Sequence, residues 1–109
     1  MKAVCFALDF KMVEQGLAPL TIDGKVTSLA FWGFSRDLNR RLDRLNQLYD
    51  RQVNWKDIAD PNWQISERDR REFNALLDLV VSEIMSELSS QWKLVVTTGY
   101  IPPPDDGSR

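Results

Sequence analysis

The sequence predicts an α+β domain in which an antiparallel sheet of three or four strands carries two helices packed on one face. Three features predict it. The stretch Ser66 to Ser90 repeats apolar residues at three- and four-residue spacing. Two short runs that suit β-structure flank Asp23-Gly24. A last run, Trp92 to Ile101, is rich in valine and threonine.

Taken in order, Lys2 to Phe10 opens the chain with Val, Phe and Leu at both alternate sets of positions. That pattern predicts a central strand, apolar on both faces. Cys5 belongs to it and reads as a small core residue, since no basic neighbour activates the thiol. Lys11 to Pro19 reads as a connection, because Gly16 and Pro19 exclude a long helix. Leu20 to Phe31 predicts a hairpin. Asp23 and Gly24 both tolerate positive φ, which a type I′ turn requires of its two central residues. The second strand is expected to run on towards Phe31, and Gly33 then turns the chain into a helix. The aromatic group Phe31, Trp32 and Phe34 is expected to pack beneath that helix. Stacking on single-stranded bases is its rival reading.

Ser35 to Val53 predicts an amphipathic helix capped by Ser35. Leu38, Leu42, Leu45 and Tyr49 form one face, and Arg36, Arg40, Arg44 and Arg51 lie opposite. Asn54 to Ile65 reads as a loop with a turn at Asp60-Pro61-Asn62. Trp55 and Trp63 bracket it, and they either close the core between the helices or anchor an interface. Ser66 is a good N-cap for the next helix, with Asp69 at the capping-box position. From Phe73 through Leu77, Val80, Val81, Ile84 and Met85 to Leu88 the apolar arc is broad. The helix is therefore expected to lie against most of the rest of the domain. Trp92 to Ile101 is the last strand, expected beside the first. Residues 1–101 form one domain on this reading, and 102–109 form a Pro-rich polar tail opened by Pro102-Pro103-Pro104.

A chain of 109 residues suits one domain, and 43% hydrophobic with 28% charged residues marks it as globular. The formal charge of −2 offers no overall attraction to nucleic acid or to an anionic membrane. No apolar run reaches the roughly 20 residues that span a bilayer. The apolar start reads as a strand and not a signal peptide, because Asp9 and Lys11 interrupt it. A single cysteine makes no internal disulfide, so a reducing, cytoplasmic compartment is expected. Histidine is absent, which removes Ser-His, Cys-His and His-metal chemistry. Paired carboxylates are the one catalytic route left, from among Asp9, Asp57, Asp60, Glu83 and Glu87. Glu83 and Glu87 lie one helical turn apart and could share a divalent cation, yet that spacing recurs on ordinary helices. Neither an enzyme nor a cofactor is expected.

The expected function is that of a small non-enzymatic protein-binding module of the inhibitor or immunity kind. Its partner would be a basic protein, such as a toxin with nuclease activity. Acidic patches steer a basic partner and can occupy its substrate groove. Asp57, Asp60, Glu83 and Glu87, with Trp55 and Trp63, are the candidate surface. A rival is a nucleic-acid-binding or regulatory module using Arg36, Arg40, Arg44 and Arg51, whose arginine forks suit phosphates. Another is a homo-oligomeric subunit joined through an exposed strand edge.

Overall fold

The computed structural model describes residues 2–56 and 66–100, without the side chains of residues 52–56. The strand β1 (Lys2–Phe6) is followed by a 3-10 turn at Val13–Gln15, then β2 (Leu17–Ile22) and β3 (Lys25–Ser28). A one-turn helix α1 (Leu29–Trp32) leads into α2 (Arg36–Lys56). After α3 (Glu67–Glu87) comes the last described strand, β4 (Trp92–Val96). The expected tail at 102–109 and the turn at Asp60-Pro61-Asn62 lie outside the described residues.

The four strands form one sheet in the order β3-β2-β1-β4, so β1 is central as its two-sided apolar pattern predicts. Its pairing with β2, and that of β2 with β3, is antiparallel. Asp23 and Gly24 stand at φ 53° and 79°, the paired positive values of the expected turn. The sheet as a whole is mixed, which corrects the expectation of a purely antiparallel one. β4 runs parallel to β1, with Lys2 beside Trp92 and Phe6 beside Val96. The physical reason is the crossover. Parallel neighbours need a long connection. The α2–α3 pair supplies it and delivers the chain back to the end of the sheet where β1 starts. There the Lys2 amide donates to the Gln91 carbonyl at 2.9 Å.

Other bounds also differ from expectation: β1 stops at Phe6 and β4 at Val96, short of Phe10 and Ile101, and α2 runs on to Lys56, past Val53. β2 begins earlier, at Leu17, and takes in Pro19 through an irregularity in its register between Ala18 and Thr21. β3 stops at Ser28 instead of running on to Phe31. The Ser28 hydroxyl accepts from the Phe31 amide at 3.1 Å and caps α1, and Gly33 closes that helix at φ 63°.

Val4, Phe6 and Leu20 from the sheet, Leu38, Leu42, Leu45 and Leu48 from α2, and Phe73, Leu77, Val80 and Ile84 from α3 form one buried cluster. Full burial of each such side chain is worth about 1.5–3 kcal/mol. The two long helices run antiparallel, tied by Arg41 to Glu83, Arg44 to Glu72 and Arg51 to Asp69. Arg44 grips Glu72 through two bonds of 2.6 and 2.8 Å, which holds that carboxyl below its usual range. Among the described residues, the one buried polar residue inside the cluster is Asn46. Its Oδ1 accepts from the Val13 amide at 2.7 Å and its Nδ2 donates to the Asp9 carbonyl at 3.0 Å. It thereby holds the 3-10 turn against α2.

Candidate functional site

Helix α3 presents a wider apolar arc than the core covers. Phe73, Leu77, Val80 and Ile84 are buried, Val81 and Leu88 are half-buried, and Met85 is 61% exposed. The uncovered part of the arc faces the flank where β4 forms one edge of the sheet. On that flank Val96 (44%) and Tyr100 (60%) are also exposed. β4 pairs with β1 along one side, and among the described residues its other side is an edge with no strand neighbour. Unpaired strand edges beside exposed apolar side chains are where another chain adds on.

Among the described residues, three clefts lie along this flank. One of about 420 Å³ is bordered by Met85, Leu88, Trp92 and Leu94. One of about 360 Å³ is bordered by Val81, Val96 and Tyr100, whose hydroxyl donates to Asp78. That bond to a carboxylate raises the Tyr100 pKa above its ordinary value. The third, of about 290 Å³, is aromatic and shares Leu88 and Trp92 with the first.

The aromatic cleft is assembled from three separate elements. Ser28 and Gly33 fix the ends of α1, so that Phe31 stands 61% exposed while Phe34 turns into the core. The Trp32 indole N–H donates to the Thr27 hydroxyl at 2.6 Å, and that hydroxyl donates to the Leu20 carbonyl at 2.7 Å. Trp32 is thereby locked to the hairpin. Its ring lies parallel to Phe34 (centroids 6.0 Å apart, planes 5° apart) and steeply inclined to Trp92 (5.3 Å, 68°). Phe31 meets it edge-on at 5.0 Å and 89°. Offset and edge-on pairs of this kind are favoured by the ring quadrupoles. Glu87, the last residue of α3, also borders the cleft. Its two carboxylate oxygens accept from the Ser35 amide at 2.9 Å and from the Ser35 hydroxyl at 2.7 Å. The partial positive charge at the start of α2 suits a carboxylate there.

The six residues of the candidate surface read from the sequence are placed unequally. Glu83 accepts from Arg41 at 2.6 Å, and its other oxygen is buried with no hydrogen-bond partner. Glu87 stands at the rim of the aromatic cleft. They are the acidic residues at the sheet end of α3. The side chain of Trp55, and Asp57, Asp60 and Trp63 altogether, lie outside the described residues. Trp55 stands near the end of α2, away from the sheet end of α3, and Asp57, Asp60 and Trp63 fall in the stretch of sequence between α2 and α3. Glu83 is sixteen residues along α3 from Glu67, about 24 Å at helical rise. Of the arginine face, Arg44 and Arg51 are engaged by Glu72 and Asp69, while Arg36 and Arg40 are exposed. Cys5 is a free thiol, half-buried.

Among the described residues no three His, Cys, Asp or Glu side chains come together as a metal site would need. No helix described is long and apolar enough to cross a membrane. The aromatic cleft was only half visible in the sequence. Phe31, Trp32 and Phe34 are adjacent in the chain, but nothing local links them to Trp92 and Glu87. No protein-family model, no curated protein and no solved structure matches this chain.

Proposed function

We propose that the chain is a non-enzymatic protein-binding module that takes its partner along the α3–β4 flank, as an inhibitor or immunity protein does. The observation that supports this is the grouping of Met85, Val96 and Tyr100, all exposed, beside an unpaired strand edge. An apolar patch of this kind is stabilised by being covered, and the free edge offers main-chain donors and acceptors to the chain that covers it. In this reading both long helices lie on one face of the sheet, and the core-distal part of the α3 arc is left for the partner. Acidic surface groups then steer a basic protein, such as a toxin with nuclease activity, towards the flank. Glu87 is common to this surface and to the one read from the sequence. A lone thiol and the absence of internal disulfides suit a reducing, cytoplasmic setting.

The test starts from the partner captured from the native host. Expressed alone, that partner is expected to arrest growth, and the present chain is expected to relieve the arrest. Met85→Lys together with Val96→Lys should weaken the complex at least tenfold while leaving the circular dichroism unchanged. The same measurement on Trp63→Ala with Asp60→Ala reports on the surface at the other end of the helices. If only the second pair weakens binding, the flank is the wrong surface. A chain that turns over a small molecule unaided would overturn the whole reading.

The same free edge of β4 favours a second reading, self-association through paired β4 strands. Light scattering over a range of concentrations distinguishes it: a mass that stays monomeric at high concentration rejects it.

A further inference from the structure

From the aromatic cleft we infer that this end of the flank is a receptor for a lysine ammonium group of the partner protein. The inference deepens the reading of the flank as a protein-binding surface and rests on it for the source of the lysine.

Four aromatic rings border one cleft of about 290 Å³, and a carboxylate stands at its rim. Aromatic faces carry negative potential, and a cation within about 6 Å of a ring centroid is attracted to it. Here the ring centroids are themselves 5.0 to 6.0 Å from that of Trp32. A cation over the open side of Trp32 would thus lie beside Phe31 and Trp92 as well, with Phe34, stacked on Trp32 and 7% exposed, backing the cleft.

Charge separates this cleft from an ordinary aromatic cluster. Phe31, Trp32, Phe34, Trp92 and Glu87 line it, and among the described residues no lysine or arginine does. Glu83, Glu72, Asp69 and Glu67 on the same helix are each paired with an arginine. Glu87 differs, because its partners are the amide and hydroxyl of Ser35, which are neutral. Those bonds fix its position, and with the partial charge at the start of α2 they offset only part of its negative charge. Phe31 adds a second peculiarity. A phenyl ring 61% exposed does little for the core, but it is suitably placed as an outer wall for a bound side chain. An ammonium on a long apolar stem satisfies both parts: the methylenes lie against Leu88 and the rings, and the head reaches Glu87.

The experiment uses the full chain labelled with nitrogen-15. The indole signals of Trp32 and Trp92 are assigned with single Trp→Phe variants. The probe is Nα-acetyl-lysine-N-methylamide, and the control is the norleucine analogue, which has an apolar side chain of similar length and no ammonium. The lysine probe should shift both indole signals with a saturating curve, and norleucine should bind at least tenfold more weakly. Glu87→Gln and Phe31→Leu should each weaken lysine binding several-fold. The second leaves the core untouched, so it keeps the test valid if the first disturbs the Ser35 contact. An equal response to norleucine, or no response to lysine up to its solubility, overturns the inference. Lysine binding with a partner complex that ignores the Met85/Val96 variant upholds the cleft and removes the flank reading. A flank-dependent complex with no lysine binding does the reverse.

Discussion

At the scale of single residues, the most consequential position is Asn46, which the apolar pattern of α2 conceals. It lies between Leu45 and Leu48 on a face of leucines, yet it is a satisfied polar group at 2% exposure. Its amide reaches the Val13 N–H and the Asp9 carbonyl, both in the β1–β2 connection. Asn46→Ala should cost about 1–3 kcal/mol, because a buried N–H is left without an acceptor. Urea denaturation would measure it, and a change under 0.5 kcal/mol, about the noise of a surface substitution, would count against this role. Glu87 makes the complementary point. Its spacing from Glu83 suggests a carboxylate pair, but the two are turned to different partners, Ser35 and Arg41. One turn of helix sets which residues are neighbours on the surface. It does not set what packs against each of them.

At the scale of elements, local chemistry was a good guide wherever an end or a turn is built from its own residues. The Asp23-Gly24 turn and the Ser66 cap are both of this kind. The Ser66 hydroxyl accepts from the Asp69 amide at 3.1 Å, and α3 starts at the next residue. Ser66→Ala should therefore destabilise the domain by about 1 kcal/mol. Thermal unfolding followed by circular dichroism checks it, and Ser66→Asp, which can still cap, should recover most of the loss. Local chemistry was a poorer guide to strand lengths. The β-rich pattern after Lys25 runs towards Phe31, but Ser28 and Gly33 supply the two ends of a helical turn, and the turn won. The apolar arc of α3 was also legible, but only part of it is core. Periodicity shows that a face is apolar, and it does not say whether the domain or a partner covers it.

At the scale of the whole molecule, the parallel β1–β4 pairing organises everything else. It joins the first and last strands, makes β1 central, and leaves β4 as the edge beside the uncovered part of α3. Val4 and Phe6, fully buried, lie in register with Leu94 and Val96. A chain ending at Gln91 loses that pairing and exposes the flank of β1. It should lose cooperative unfolding altogether, seen as a broad melt and a weak near-ultraviolet spectrum. A sharp transition at an unchanged midpoint would show that β4 is an accessory. The aromatic cleft follows from the same pairing, since β4 is the element that carries Trp92 to Trp32.

By itself the sequence determined the α+β class, the hairpin turn, the two long helices, the Ser35 and Ser66 caps, and the centrality of β1. Each of these is set by spacing or by side chains within a few residues of one another. Tertiary structure alone decided that β4 runs parallel to β1, that Glu83 is held by Arg41, and that Glu87 meets Trp32 and Trp92 at one cleft. Those outcomes depend on where the crossover through α2 and α3 returns the chain. That is fixed by the packing of the whole core, which no short stretch of residues encodes.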